Sequence, residues 1–178
     1  SRDSEIKQNL PVMIDGFREF NKKNDYTALI PAYDRSAKEL VETFIKDEVE
    51  ISCHQIEASA ILKKARAAVM CSGTATLEGL LAEVPTTIIY KTSWFNYLIY
   101  KSMMKAEYAG IPNILAGKKI FTELIQHQAT KAAIAKDLEN NLNNLEMKIE
   151  VMQEVKRKIV STDFSKFSNR IYEDHGSR

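Results

Sequence analysis

A hydroxyl-rich octapeptide, Cys-Ser-Gly-Thr-Ala-Thr-Leu-Glu at positions 71–78, is the part of this chain best suited to chemistry. It follows a short apolar run and leads into leucines at helical spacing. A strand, a small-residue turn and a hydroxyl-rich helix start together present backbone N–H groups to an anion, usually a phosphate. Glu78 lies four residues after Thr74, one too far for a capping box, so its carboxylate can accept hydrogen bonds from a ribose diol.

The same octapeptide also has a purely structural interpretation. Ser, Gly and Thr cap helices and form turns in many strand-to-helix connections that bind nothing. A short motif of this kind therefore leaves a nucleotide site and an ordinary turn equally open.

Composition limits the alternatives. The 178 residues fit one domain, and 25 basic against 24 acidic residues give a net charge of +1, which argues against a general nucleic-acid binder. Cys53 and Cys71 do not make a disulfide framework, which fits a reducing cytoplasm. The three histidines lack metal-ligand spacing, so the sequence does not require a metal. We expect no cofactor. We also find no signal peptide and no apolar run long enough to span a membrane.

The elements that must position the octapeptide alternate between strands and helices. This alternation predicts an α/β fold, with a Rossmann-like parallel sheet covered by helices on both faces and a helical C-terminal tail. Pro11 should kink or divide the first helix. Predicted strands are residues 26–31, 49–52, 67–71 and 86–90; predicted helices are residues 4–22, 36–44, 56–64, 74–82, 119–126, 130–142, 146–160 and 165–172, with 111–117 read as a loop.

Residues 94–104 form a dense apolar and aromatic stretch with lysines at its edges. One interpretation is a buried helix. The other is a helix that contacts a membrane surface or a lipid substrate through Trp94, Phe95 and Leu98, because aromatic residues and lysines favour that interface.

Three blocks, at residues 1–7, 72–78 and 111–117, resemble in order and spacing the lipid-A-disaccharide synthase family of inverting glycosyltransferases. The middle block is shared with other sugar-nucleotide transferases, whereas Pro-Asn-Ile-Leu-Ala-Gly at 112–117 is more particular to this family. The resemblance implies a GT-B architecture, in which residues 1–178 form one donor-binding domain, with a core at 1–160 and a tail at 161–178. It also implies that the acceptor domain, its catalytic base and the first central strand lie outside this chain, and that another segment or chain completes the sheet.

The resemblance assigns roles to individual residues. Arg2 would bind the diphosphate, as would Ser72, Gly73, Thr74 and Thr76 of the turn, whereas Glu78 would bind the ribose. Their structural alternatives are a solvated arginine, turn and cap chemistry, and a solvated acid. Further contacts to UDP or the donor sugar are expected from Asn113, Gly117 and Gln126; for Asn113 the alternative is a side chain that only turns its own backbone. Gln126 and Glu123 are the weaker candidates, because surface residues of a helix are usually just solvated. Tyr90 and Lys91, at the end of a strand, either face the cleft or do not, and both alternatives stay open.

The reaction implied is condensation of UDP-2,3-diacylglucosamine with 2,3-diacylglucosamine 1-phosphate (lipid X), giving lipid A disaccharide 1-phosphate and UDP. The family's lipid substrates imply a cytoplasmic enzyme, peripheral on the inner membrane, and a homodimer is left open. Two rival interpretations stay open as well: another UDP-GlcNAc-using GT-B enzyme, such as a peptidoglycan-type transferase or a 2-epimerase, and a nucleotide-binding domain without chemistry.

Overall fold

The computed structural model describes residues 3–46, 48–91 and 108–161. Short parallel strands alternate with helices, so the predicted α/β class is confirmed. The strands are β1 (Ala28–Pro31), β2 (Ile51–His54), β3 (Ala68–Cys71), β4 (Thr86–Tyr90) and β5 (Thr122–Ile125); the helices are α1 (Asp3–Asn21), α2 (Arg35–Glu42), α3 (Ala58–Leu62), α4 (Ala75–Leu81), α5 (Ile111–Ala116), α6 (Lys131–Asn143) and α7 (Leu145–Ser161).

Among the described residues the strands form two parallel sheets. β1 pairs with β2, and β4 lies between β3 and β5. The central strand β4 is the most buried, because Thr86 to Ile89 are covered on both faces, as is typical of a parallel strand between two helical layers. None of the described strands connects β1 to β3.

Three apolar clusters hold the layers together. One joins α1 and α2 to the two-stranded sheet, a second packs α1 and α6 on β4 and β5, and a third packs α4 and α7 on β4. Phe17 of α1 contacts both the first and the second cluster. Close approach of α1 to α6 depends on Gly16, because a Cβ there would lie 2.5 Å from Cγ2 of Ile134.

Two of the sequence predictions need correction. Residues 111–117 are not a loop: Pro112 occupies the first helical turn, where its missing N–H costs nothing, and Gly117 ends α5 in the left-handed conformation at φ 61°. Residues 119–126 are not a helix, because β5 pairs with the buried β4 from Thr87–Thr122 to Tyr90–Ile125. Of the two outcomes predicted for Pro11, a kink or a division, the division does not occur, since α1 runs through Pro11 as one helix of 19 residues.

Candidate functional site

The candidate site lies at the carboxyl edge of the three-stranded sheet. β3, β4 and β5 end there at Cys71, Tyr90 and Ile125. In open parallel α/β sheets, ligands bind in the crevice beyond this edge. The octapeptide turn follows β3, Lys91 follows β4, and Gln126 follows β5.

The turn after β3 leaves its backbone donors available. Gly73 has φ 153°, and Thr74 precedes α4 without a side-chain capping bond. In the described part of the chain, the N–H groups of Gly73, Thr74 and Ala75 have no acceptor. Because α4 has only seven residues, these donors matter more for anion binding than a helix dipole does.

Two residues of the octapeptide face opposite environments. Thr76 is fully buried, and its hydroxyl donates to the Gly73 carbonyl over 2.7 Å, so it shapes the turn. Glu78 is exposed in the first turn of α4, and no hydrogen bond or ion pair occupies its carboxylate among the described residues. Glu78 therefore has the accessible, unpaired carboxylate that a ribose diol requires.

The second and third sequence blocks meet at this turn. The Ser72 hydroxyl donates to the Ala109 carbonyl over 2.9 Å, which places the turn beside the residues that precede α5. Two of those residues, Ala109 and Gly110, donate their backbone N–H groups to the Glu123 carboxylate over 2.9 and 2.8 Å. Gly110 is closely packed, because a Cβ there would overlap Cδ1 of Ile88.

Asn113 is the buried centre of this connection. Its amide donates to the Phe121 carbonyl at 2.9 Å and to Glu123 at 2.8 Å, and its oxygen accepts the N–H groups of Ile120 and Phe121, both at 2.8 Å. Asn113 is 0% exposed, so all the polar capacity of its side chain is used inside the chain. In this conformation Asn113 therefore has no free polar atom with which to make the ligand contact predicted for it.

Glu123 holds the loop before α5 in place. The sequence indicated it only as a weaker candidate for contact with UDP or the donor sugar. Its carboxylate accepts three hydrogen bonds, from Ala109, Gly110 and Asn113. The sequence signal was present in the alternation of residues 122–125, which places Glu123 on the opposite side of the strand from Leu124. The helix assignment for residues 119–126 concealed that signal.

The start of α1 also reaches the carboxyl edge. Asn9 donates to the Lys91 carbonyl over 3.3 Å, so α1 begins beside the end of β4. Burial, and then the neighbouring Glu5 carboxylate, raise the pKa of the Cys71 thiol to about 11. This thiol stays protonated near neutral pH and lacks the low pKa of a catalytic nucleophile. Arg2, which precedes α1, lies outside the described residues.

The remaining predicted residues are spread more widely. Gly117 ends α5, so the whole six-residue helix separates it from the residues beside the turn. Gln126 has a left-handed backbone at φ 52°, unusual for a residue with a side chain, and lies at the end of β5 on the edge that carries the turn. Trp94, Phe95 and Leu98 lie outside the described residues.

Within residues 3–46, 48–91 and 108–161, no group of three or more His, Cys, Asp or Glu side chains is arranged to hold a metal ion. None of the helices in the same ranges has the length and apolar character needed to cross a membrane.

Comparison with known proteins places the chain in a family. The family model for lipid-A-disaccharide synthetase matches residues 1–172. Similar curated proteins are the lipid-A-disaccharide synthases of Acinetobacter baylyi, 33% identical over 86% of this chain and 42% of that protein, and of Coxiella burnetii, 32% identical over 81% of this chain and 38% of that protein. The chain thus spans about two fifths of the length of these relatives. It belongs to the lipid-A-disaccharide synthase family.

Proposed function

We propose that this chain is the UDP-sugar-binding half of a lipid-A-disaccharide synthase. The observation that carries the proposal is the unpaired, exposed Glu78 carboxylate, one helical turn beyond the open N–H groups of residues 73–75, at the carboxyl edge of a parallel sheet. In this arrangement the N–H groups and Arg2 bind the diphosphate while Glu78 accepts the ribose hydroxyls.

The proposed reaction is the one that membership of the family implies. The 6-hydroxyl of the acceptor, lipid X, attacks the anomeric carbon of UDP-2,3-diacylglucosamine from the face opposite UDP. The bond to the β-phosphate oxygen breaks and the configuration inverts. Negative charge that develops on the departing UDP is stabilised by the donors of the turn and by Arg2. The general base that takes the hydroxyl proton belongs to the acceptor domain, outside residues 1–178.

Asn113 and Glu123 support this function as positioning residues. They fix residues 109 and 110, whose loop accepts the Ser72 hydroxyl and so holds the diphosphate turn. Gly117 ends the helix that begins at this loop, whereas Gln126 faces the same edge and contacts the donor sugar or uridine.

In this proposal the protein is a peripheral enzyme on the cytoplasmic face of the inner membrane, and the lipid character of both substrates supports the membrane contact. Trp94, Phe95 and Leu98 supply the membrane contact in this proposal, since aromatic residues flanked by lysines favour the interface. Sedimentation with vesicles tests that part: a Trp94→Ser/Phe95→Ser variant should lose most of its vesicle-bound fraction, and full retention would remove this stretch as the contact.

A chimaera that carries residues 1–178 behind the N-terminal part of the Acinetobacter baylyi relative provides the catalytic test. We expect disaccharide formation from lipid X with the diacylated donor at least 100-fold faster than with plain UDP-GlcNAc. Glu78→Ala should lower kcat/KM about 10- to 100-fold, the value of one or two hydrogen bonds to a charged group. Glu139→Ala removes an exposed acid of α6 and should change nothing.

Two outcomes would contradict the proposal. Equal use of the two donors would favour a UDP-GlcNAc transferase of another kind. A folded chimaera that binds UDP but transfers no sugar would favour a nucleotide-binding domain without chemistry.

A further inference from the structure

Lys91 follows the central strand β4, between the turn after β3 and Gln126 after β5. Its side chain is partly buried, and in the described part of the chain no hydrogen bond or ion pair occupies its ammonium group. We propose that Lys91 binds the diphosphate of the nucleotide, as a cation that faces the open N–H groups of residues 73–75. This inference rests on the proposed function and assigns a role to a residue that the sequence left open.

Strand pairing places Lys91 beside the turn. β3 and β4 pair in parallel as far as Cys71 with Ile89, and the Ser72 N–H donates to the Ile89 carbonyl over 2.8 Å. Two positions further along the same register, Lys91 comes level with Gly73. Neighbouring strands lie about 5 Å apart, and a lysine ammonium reaches about 6 Å from its own Cα. An anion held by the turn is therefore within reach of Lys91.

The alternation of β4 places Lys91 on the face that α1 covers. Ile88 packs in the cluster with α4 and α7, whereas Ile89 packs in the cluster with α1 and α6. Lys91 follows Ile89 by two positions and so shares its face. The turn leads into α4, which covers the opposite face. N–H donors from one layer and an ammonium from the other thus flank the carboxyl edge of the sheet.

Asn9 holds the backbone of Lys91. Its amide donates to the Glu5 and Lys91 carbonyls over 3.1 and 3.3 Å, and Asn9 itself is buried. β4 is also paired on both sides, with β3 and with β5, up to the residue before Lys91. Because the backbone is already fixed, only side-chain torsions must be ordered when an anion binds, which lowers the entropic cost of binding.

The ammonium of Lys91 lacks the counter-charge that other lysines of the structure have. Lys156 pairs with Glu83, and Lys38 pairs with Glu42 over 2.7 Å. No carboxylate plays that part for Lys91 among the described residues. Partial removal of a charge from water costs free energy unless an opposite charge is supplied. A bound diphosphate supplies it, which favours binding of UDP.

The same contact assists the proposed reaction. When the bond between the anomeric carbon and the β-phosphate oxygen breaks, the electron pair of that bond stays on the departing UDP. The negative charge on the diphosphate increases at this step, and the Lys91 ammonium stabilises it together with the N–H groups of the turn. The proton of the acceptor hydroxyl goes to the general base of the acceptor domain, so Lys91 stays protonated throughout.

Calorimetric titration of UDP into the 178-residue chain tests the proposal. Lys91→Met removes the charge but keeps a long side chain, and it should raise the Kd for UDP about 10- to 100-fold. Lys91→Arg keeps the charge and should stay within about threefold of the parent. Lys119→Met is the matched control, because Lys119 is an exposed lysine before β5, at the opposite edge of the sheet, and its loss should leave the Kd unchanged.

Two further readouts separate a phosphate contact from a purely structural role. Between about 0.05 and 0.3 M NaCl, the parent should lose UDP affinity more steeply than Lys91→Met, because salt screens the charge pair that the variant lacks. Uridine has no phosphate, and its binding, followed by NMR titration, should be the same for the parent and Lys91→Met. An equal loss of uridine and UDP binding in Lys91→Met would show a structural role and overturn the inference.

The results also separate this inference from the proposed function. If Glu78→Ala weakens UDP binding and Lys91→Met does not, the role of Lys91 is overturned while the proposed function stands. If the parent does not bind UDP, the proposed function fails and the role of Lys91 fails with it. In the chimaera, an unchanged KM for the donor with a raised KM for lipid X would assign Lys91 to the 1-phosphate of the acceptor, which also overturns the inference.

Discussion

Replacement of Asn113 by alanine separates a structural role for this residue from a ligand role. The substitution leaves the N–H groups of Ile120 and Phe121, the Phe121 carbonyl and one Glu123 oxygen without their partner. A buried polar group left unpaired costs about 1–3 kcal/mol, and water that enters the small space left by the side chain offsets part of the total. We expect Asn113→Ala to lower the free energy of unfolding by about 3–5 kcal/mol.

The assay is denaturant and thermal unfolding followed by circular dichroism. For a chain of this size, a loss of about 3–5 kcal/mol lowers Tm by roughly 6–20 °C. Asn143→Ala is the matched control, because Asn143 is an exposed residue of α6 and its loss should stay within about 0.5 kcal/mol. If Asn113→Ala unfolds like the control but fails to bind UDP, the structural argument is wrong and Asn113 is a ligand.

Three further perturbations test the packing and the electrostatics. Gly16→Ala should lower the free energy of unfolding by about 1–2 kcal/mol, because its Cβ overlaps Ile134. In a chain that also carries Ile134→Ala, most of that additional loss should disappear, since the overlapping side chain is gone. The raised pKa of Cys71 means that the folded state keeps its proton while the unfolded thiol ionises, so its stabilisation is complete below pH 9 and is lost towards pH 11. In urea titrations between pH 9 and pH 11, the free energy of unfolding of Cys71→Ser should therefore fall by about 1–3 kcal/mol less than that of the parent. Asp137→Ala should lower the free energy of unfolding, measured by calorimetry, by about 2–4 kcal/mol, since its buried carboxylate accepts hydrogen bonds from hydroxyl groups of β4 and β5. A loss no larger than that for an exposed acid would contradict this role.

Much of the fold could be predicted because local patterns and tertiary packing agree. The first four strands and the helices between them were expected within a few residues of where they lie, since their apolar periods are clear and Pro31, Asp34, Gly73 and Pro85 lie at or near several of their boundaries. Pro112 and Gly117 also carried the signal for α5. That signal was missed because a short segment bounded by proline and glycine also fits a loop.

The errors near β5 have a different origin. Residues 119–126 contain no proline or glycine and fit a helix locally, whereas pairing with the buried β4 makes them a strand. The same error hid the role of Glu123, because the three donors that it holds come from residues 10 to 14 positions away in the sequence. Contacts of this kind follow from tertiary structure, and no local period reports them.

Within the candidate site, residue types were easier to predict than the work of each side chain. The octapeptide indicated the turn and the accessible Glu78, because those features depend on neighbouring residues. The burial of Thr76 and Asn113 depends on which face of the structure is covered. The sequence therefore left a ligand role and a structural role open for each of them.

The most direct test of the central claim is calorimetric titration of UDP into this chain, its Glu78→Ala variant and the Glu139→Ala control. The claim predicts saturable binding by the parent and the control, and an increase in Kd of about 10- to 100-fold for Glu78→Ala, with unchanged unfolding for all three proteins. Equal Kd values for the parent and Glu78→Ala would contradict the ribose contact on which the proposed site depends.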